Sequence, residues 1–211
     1  MNSSSGGFQL EFDPEIALKQ LRKDKDLKRV IKKVGDFKLA LRPNHSPFEA
    51  PAESIVYQQL NGKVAATIWG RFNGLFESKH LRPEDVLAAD IELLRSSGLS
   101  AAKAIAVRDL SEKTLMGLVP SWAGLRKLDD EEIITRMTDV RGIGRWTVEM
   151  LLIFRLGRPD VWPVDDFAVR TAYGDVFGIE RVNLKEMRER AEQWRPYRSV
   201  VAWYMWRWYK P

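Results

Sequence analysis

Two adjacent carboxylates, Asp165 and Asp166, follow the apolar run Val161–Val164 and immediately precede Phe167, where the pattern predicts a new helix. The dipole of a helix stabilises an anion at its start. A carboxylate held there can stabilise positive charge that develops on a reacting group, or activate an attacking water. Either residue can instead act as the N-cap of the helix. This pair is the first candidate for catalysis.

A second pattern, within Met137–Thr147, reads as a helix end, a tight glycine turn and a new helix start. Gly142 and Gly144 allow the chain to turn sharply and to approach a ligand closely. The N–H groups and dipole of the following helix can hold a phosphate without reading a base, and Val140 and Ile143 would anchor the loop inward. The two glycines can also simply end one helix and admit the next.

The elements that must position these residues are predicted to be helices, so the fold class is all-α. Asp13-Pro14-Glu15 and the capping box Ser46-Pro47-Phe48-Glu49 each introduce a helix. Phe37–Leu41 alternates like a short extended piece. Periodicity and punctuation predict further helices at Lys63–Phe76, Pro83–Ser96, Ser100–Leu110, Asp129–Met137, Arg145–Leu156, Asp166–Phe177, Leu184–Trp194 and Ser199–Tyr209.

The composition of the 211 residues favours an anionic partner, because 34 Lys and Arg outnumber 29 Asp and Glu. A basic run between Lys19 and Lys33 could contact phosphate, although such runs more often form solvated helix faces. With no cysteine, the chain cannot build disulfides, thiolate zinc sites or iron–sulfur clusters. No apolar stretch is long enough to span a membrane, and Met1–Gly7 shows no secretory signal. We therefore expect an intracellular protein, in the cytoplasm or nucleoid, without membrane association.

The hairpin and the acidic pair together resemble the helix–hairpin–helix DNA glycosylase superfamily, and within it the 3-methyladenine DNA glycosylase II (alkylbase DNA glycosylase) branch. The resemblance is carried in order along roughly residues 46–209 by Ser54–Leu60, Gly98–Lys103, Val140–Thr147, Pro163–Asp166 and Arg195–Ser199. It implies a two-lobed helical fold with a DNA-binding cleft between the lobes. Residues 1–45 would pack on the C-terminal lobe, residues 46–160 would form a lobe ending in the helix–hairpin–helix at about 129–156, and residues 161–211 would complete the second lobe.

The resemblance also implies roles for individual residues. The catalytic carboxylate would be Asp166, with Asp165 as the alternative. Trp146 stands where bifunctional members carry a Schiff-base lysine, so no strand cleavage is expected. Leu60 and Asn61 would supply the wedge that fills the gap left by an extruded nucleotide, although Leu60 could equally be a core residue. The DNA-binding residues would be Val140, Gly142, Ile143, Gly144, Arg145, Thr147, Gln59, Leu60 and Asn61.

Aromatic faces attract a cationic alkylated base. The candidates for the base pocket are Trp146, Tyr57 and Trp206, the last of which the resemblance implies by its position after Arg195-Pro196. Trp203 and Trp208 compete with Trp206 for this role, and each tryptophan could instead pack in the core. No organic cofactor is expected. The carbonyls of Val140 and Ile143 are candidates to hold a monovalent cation.

The function implied is hydrolysis of the N-glycosidic bond of alkylated bases such as 3-methyladenine and 7-methylguanine, the first step of base excision repair. The expected partner is damaged double-stranded DNA, and the expected state is a monomer. Two alternatives remain. A glycosylase for neutral or deaminated bases would need hydrogen-bond partners for the base edge. A non-catalytic DNA-binding module would gain nothing from a carboxylate near phosphate.

Overall fold

The computed structural model describes residues 10–41, 46–78 and 80–209, and all regular secondary structure in these ranges is helical. This confirms the all-α prediction. The α-helices are α1 (Pro14–Leu21), α2 (Lys25–Val34), α3 (Glu49–Tyr57), α4 (Gly62–Asn73), α5 (Pro83–Ala88), α6 (Ile91–Ser96), α7 (Ala101–Leu115), α8 (Trp122–Leu125), α9 (Asp130–Thr138), α10 (Arg145–Leu151), α11 (Phe167–Phe177), α12 (Leu184–Ala191) and α13 (Arg198–Trp208). A π-helix, Leu152–Leu156, continues α10, and a 3₁₀ turn, Glu192–Trp194, continues α12.

The chain forms two compact units. The first unit comprises Met1–Pro43 and Leu152–Pro211, and the second comprises Asn44–Leu151. The boundary at Leu151 falls within the predicted helix Arg145–Leu156, at the point where α-helix changes to π-helix. Periodicity does not indicate the change to π-helix, and the boundary expected from the family resemblance was after residue 160.

The core of the first unit is built by α2, α11 and α13, which pack on one another. On α2 the apolar residues Leu27, Val30 and Ile31 are buried. They meet a C-terminal cluster in which Trp194 and Tyr204 are also buried. Burial of these large side chains supplies the hydrophobic stabilisation of a unit whose segments are distant in sequence.

The second unit is organised around α7, which packs against α3, α5 and α6, while α10 packs against α3 and α9. Its entry helix α3 begins with the predicted capping box. The Ser46 N–H donates to Glu49 Oε2 at 2.7 Å, and the Glu49 N–H donates to Ser46 Oγ at 3.0 Å. This exchange satisfies two backbone donors at the helix start.

Two sequence predictions of secondary structure were wrong. The segment Pro83–Ser96 is two helices, because Asp90 starts α6 as an N-cap and accepts a hydrogen bond from the Leu93 N–H at 2.7 Å. Phe37–Leu41 carries no strand. Its side chains do alternate between partly buried and exposed, so the pattern reflected packing of an irregular segment rather than sheet pairing.

Candidate active site and nucleic-acid interface

The loop between α9 and α10 is a compact hairpin anchored by apolar side chains. Val140 and Ile143 are buried. The Val140 N–H donates to the Met137 carbonyl and the Ile143 N–H donates to the Val140 carbonyl, both at 3.1 Å. Gly144 closes the loop, and its carbonyl accepts the Thr147 and Val148 N–H groups. The backbone between Val140 and Gly144 is thus held in place while the first turn of α10 follows directly.

The fold requires a glycine at one of the two hairpin positions, Gly142, but not at the other, Gly144. Gly142 has a φ of +79°, and a Cβ there would lie 3.3 Å from the Cβ of Ala106. The fold itself therefore requires a glycine at this position. Gly144 has no heavy atom within 4 Å of its ideal Cβ position. Packing leaves room for a side chain at Gly144, and the space that it would fill is open to a ligand.

The guanidinium of Arg145, the first residue of α10, contacts two carboxylates. It pairs with Glu131, and its Nε donates to Oε1 of the buried Glu149 at 3.1 Å. The hydrogen bonds that Arg145 donates to the Glu131 carboxylate raise the pKa of Arg145 above its ordinary value. The positive charge of this side chain is consequently partly neutralised within the protein.

Helix α7 fastens the hairpin on one side. The Asp109 carboxylate accepts the Arg141 N–H at 2.7 Å, and Lys113, one turn further along, pairs with Asp109 at 3.1 Å and with Asp139 at 3.3 Å. Asp109 therefore bonds the backbone of the loop, while Lys113 links Asp109 to the end of α9. Neither residue was singled out from the sequence, because an acidic residue on a helix face gives no sign of a partner 32 positions away.

The same helix holds the turn after α3. The Lys103 ammonium donates to the carbonyls of Val56 at 2.7 Å and Gln58 at 2.8 Å. Burial lowers the pKa of Lys103. The Gln58 side-chain amide in turn donates to the Gly142 carbonyl at 2.8 Å. The turn and the hairpin are therefore connected both directly and through α7.

The turn itself presents Leu60 outward. Gln59 has a φ of +57°, the left-handed region that a residue with a side chain rarely adopts. Leu60 is 38% exposed, which excludes the core role considered for it. Asn61 is the N-cap of α4, and its side chain accepts the Val64 N–H at 3.0 Å. The exposed apolar side chain of Leu60 therefore follows a strained backbone position at Gln59. The next residue, Asn61, is held in place as the N-cap of α4.

Asp166 is buried and begins α11. Its Oδ1 accepts the Val169 N–H at 2.9 Å and the indole N–H of Trp206 at 3.0 Å. Asp165 is exposed. The N-cap role considered for Asp165 therefore belongs to Asp166, which combines a structural bond with a bond to an aromatic side chain.

Of the three tryptophans at the end of the chain, Trp206 is the one bonded to Asp166. Its ring centroid lies 5.3 Å from that of Phe154, on the π-helix. Trp203 is buried against Phe37, and Trp208 bonds Asp175. A π-helical turn frequently marks a functional site. Here the turn carries Phe154, whose ring packs against that of Trp206.

The motif Arg195–Ser199 fixes the start of α13. The Arg198 guanidinium pairs with Asp160 at 2.7 Å, both side chains being largely buried, and the Val161 N–H donates to Ser199 Oγ at 2.9 Å. These bonds tie α13, which carries Trp206, to the segment that leads into Asp166.

Two of the predicted base-pocket residues belong to the second unit. Tyr57 is the last residue of α3 and is partly buried, while Trp146 on α10 is 44% exposed. The structure thus brings Asp166 together with Trp206, and the hairpin together with the turn after α3.

Within the described ranges, no group of three or more His, Cys, Asp or Glu side chains could hold a metal ion. In the same ranges, no helix has both the length and the apolar character needed to cross a membrane.

Known proteins resemble this chain over most of its length. A model of the HhH-GPD superfamily of base excision DNA repair proteins matches residues 52–196. DNA-3-methyladenine glycosylase 1 of Schizosaccharomyces pombe is 37% identical over 87% of this chain and 82% of its own length. The solved structure of the S. pombe 3-methyladenine DNA glycosylase in complex with abasic DNA superposes with a TM-score of 0.79 at 34% identity, covering 90% of this chain and 95% of that one. A DNA-3-methyladenine glycosidase from Bacillus halodurans superposes with a TM-score of 0.82 at 30% identity, covering 94% and 90%.

Proposed function

Because the chain belongs to the HhH-GPD superfamily of base excision DNA repair proteins, we propose that it is a monofunctional DNA glycosylase for alkylated bases. The proposed substrates in duplex DNA are 3-methyladenine, which the name of its S. pombe relative contains, and 7-methylguanine, which is likewise a cationic methylated purine. The observation that carries the chemistry is Asp166, a buried carboxylate held by an indole and a helix N-terminus.

Asp166 stabilises the sugar as the base departs. The bond between C1′ and the base nitrogen breaks with both electrons moving to the base, so that a cationic base leaves neutral and the sugar becomes an oxocarbenium ion. The carboxylate stabilises that charge and orients the water that adds to C1′, while the proton released passes to the carboxylate or to solvent. A base that is already cationic needs no strong general acid, so one carboxylate is sufficient.

The indole N–H of Trp206 orients this carboxylate. A hydrogen bond from Trp206 and another from the Val169 backbone both end on Oδ1. Preorganisation of this kind removes the cost of reorienting the group during the reaction. We assign to Trp206 a second role, with Tyr57 and Trp146, in contacting the cationic base through aromatic faces.

The hairpin binds the DNA backbone and does not contact the base edges, so this binding is independent of the DNA sequence. Open space beside Gly144 admits a phosphate to the first turn of α10, where the helix dipole favours an anion. Since the Arg145 side chain is paired with carboxylates, its contribution is its backbone N–H. The carbonyls of Val140 and Ile143 are the groups that would hold a monovalent cation, whose charge would attract the same phosphate.

Leu60 fills the gap that an extruded nucleotide leaves in the duplex. Extrusion costs a few kcal/mol in lost stacking and pairing. An apolar side chain that is already exposed on a fixed turn replaces part of the stacking without first leaving a core. Gln59 and Asn61, on either side of it, contact the flanking backbone.

Base release without strand cleavage follows from Trp146. The indole cannot form a Schiff base with C1′, so the product is an intact strand with an abasic site. Binding a single lesion requires a single copy of the chain, and we propose a monomer that acts on DNA inside the cell.

The proposal is tested with duplexes that each carry one methylated, deaminated or oxidised base, assayed with and without alkaline cleavage. We expect abasic sites in the methylated duplexes and breaks only after alkali. Release confined to deaminated bases would indicate a glycosylase for neutral lesions. Binding without release from any duplex would indicate a non-catalytic module.

Borohydride reduction during turnover tests the absence of lyase activity. We expect no covalent complex between protein and DNA. A trapped complex would mean that a lysine attacks the sugar, and would overturn the monofunctional mechanism even if base release were confirmed.

A further inference from the structure

Helix α2 carries a stripe of five positive charges. Its members occur at positions i, i+3, i+4, i+7 and i+8, the spacing of a single helix face. All five are exposed, and they line a shallow groove of about 490 Å³. We call them the α2 stripe: Lys25, Lys28, Arg29, Lys32 and Lys33.

The α2 stripe forms few direct ion pairs, although Glu15 and Asp36 line an adjoining pocket with Lys28 and Lys32. Asp26 lies 4.0 Å from Arg29 and 3.8 Å from Arg190. Within the described part of the chain, no carboxylate lies within ion-pairing distance of Lys25, Lys28 or Lys32. Like charges three and four positions apart destabilise a helix, so this arrangement works against folding. A partner that supplies negative charge would relieve the repulsion.

One edge of the stripe is held in position by aromatic and backbone contacts. The Lys33 ammonium lies 4.0 Å from the ring centroid of Trp208, and the Arg29 guanidinium lies 5.4 Å from it. Arg29 also donates to the Val176 carbonyl at 2.7 Å. Fixed cations lose less conformational freedom on binding than free ones. The stripe is therefore partly preorganised.

The stripe is separate from the residues assigned to excision. Trp208 lies two residues beyond Trp206 on α13, which turns its side chain by about 200°. Trp206 bonds Asp166, whereas Trp208 contacts Asp175 and the α2 stripe. The hairpin belongs to the second unit. The stripe thus forms a distinct surface.

We propose that the α2 stripe is a second phosphate-binding surface for duplex DNA, used in addition to the hairpin. A row of four lysines and one arginine, about two helical turns long, matches a polyanion whose charges recur regularly. A cationic helix can also bind a membrane through its apolar face. In α2, however, the apolar residues Leu27, Val30 and Ile31 are buried in the protein and none is available for insertion.

The test is the salt dependence of binding to undamaged duplex, measured for the parent and for Lys25→Gln/Lys28→Gln/Lys32→Gln. This variant leaves the cations on Trp208 in place. If all three lysines contact phosphate, the slope of log K against log salt should fall in magnitude by about 2.7. The matched control is Arg181→Gln/Lys185→Gln/Arg188→Gln, which removes the same charge from an exposed surface of the same unit. It should change the slope far less.

Equal slopes for the two triple variants would overturn the proposal. So would a stripe variant that loses binding to phosphatidylserine vesicles while retaining that to DNA, because the partner would then be a membrane. The thermal midpoint of the stripe variant should be unchanged or higher, since repulsion is removed. Lys32→Gln alone should give about a third of the shift. Because undamaged DNA is used, the result does not depend on hydrolysis by Asp166.

Discussion

The side-chain amide of Gln58 donates a hydrogen bond of 2.8 Å to the carbonyl of Gly142, which joins the turn after α3 directly to the hairpin. The residues proposed to enter the duplex and those proposed to hold its backbone are therefore one connected structure. The distance between the wedge and the phosphate contact is set before DNA arrives. Such preorganisation reduces the entropy lost on binding.

Gln58→Ala should lower single-turnover excision about tenfold, which corresponds to about 1.4 kcal/mol in the barrier. The reason is that the turn and the hairpin lose their direct link. The unfolding free energy should fall by about 1 kcal/mol. Gln193→Ala is the control, because Gln193 also donates its amide to a backbone carbonyl, that of Arg190 at 3.0 Å, in the first unit. Equal excision rates for the two variants would contradict a positioning role.

Gly144→Val should weaken binding to every duplex by a similar factor, since the side chain enters space proposed for a phosphate. Its thermal midpoint should stay close to that of the parent, because no atom beyond the adjacent residues lies within 4 Å of the new Cβ. Gly142→Ala should behave differently and lose about 1–2 kcal/mol of stability, since its φ is positive. Fluorescence anisotropy and thermal unfolding measure the two effects. A loss of affinity limited to one DNA sequence would argue against a backbone contact.

Asp166→Asn should reduce excision by roughly two orders of magnitude or more while leaving the fold intact. Asparagine retains an oxygen that can accept both hydrogen bonds now ending on Oδ1. DNA affinity should hold or rise, because a negative charge near the phosphates is removed. Asp165→Asn is the parallel control and should cost far less. If Asp165→Asn were the inactive variant, the catalytic carboxylate would be the exposed residue of the pair.

Trp206→Phe should slow excision about tenfold, because it retains an aromatic face but loses the N–H that orients Asp166. The matched control is Trp208→Phe, on the same helix as Trp206, which removes the indole N–H that Trp208 donates to Asp175 on α11. Single-turnover rates at saturating protein distinguish the two. A slow Trp208→Phe with a normal Trp206→Phe would place the important indole two residues further along.

Tyr204 should make the protein sensitive to alkali. Burial raises the pKa of this phenol to about 12 from an ordinary value of 10.0, and its hydroxyl donates to the Gly35 carbonyl at 2.9 Å. Because the folded state favours the protonated phenol, its contribution is complete below pH 10 and is lost as the pH rises towards 12. Chemical unfolding across this range should show a steeper loss of stability for the parent than for Tyr204→Phe. Parallel curves would indicate that folding does not raise the pKa of this phenol.

Much of the fold could be predicted from the sequence, because helix starts depend on neighbouring residues. The capping box at Ser46–Glu49 uses bonds over three positions, and both are formed. The break before Asp90 was missed because periodicity alone does not distinguish an N-cap from a helical aspartate. The π-turn at Leu152–Leu156 depends on tertiary packing and leaves no local pattern.

The residues of the candidate site likewise fall into two groups: those that the sequence indicated and those that only the structure revealed. The acidic pair and the hairpin could be singled out because each is a short continuous motif, and the choice of Asp166 within the pair came from the family resemblance. The bond from Trp206 to Asp166 spans 40 positions, and the bond from Lys103 to the Gln58 carbonyl spans 45. Long-range pairs of this kind have no spacing rule, so the hydrogen bonds of Trp206 and Lys103 could be found only in the structure.

Helix α7 bonds the turn through Lys103, contacts Gly142 through Ala106 and bonds the hairpin through Asp109. Lys103, Ala106 and Asp109 are spaced three residues apart along one face of α7, so their spacing is as important as their identity. A single residue inserted between Lys103 and Asp109 would rotate one attachment by about 100° relative to the other. The number of residues between Lys103 and Asp109 is therefore as constrained as the identity of an active-site residue. Insertions in this helix should be tolerated only after Lys113, the last of its residues that pairs with the end of α9.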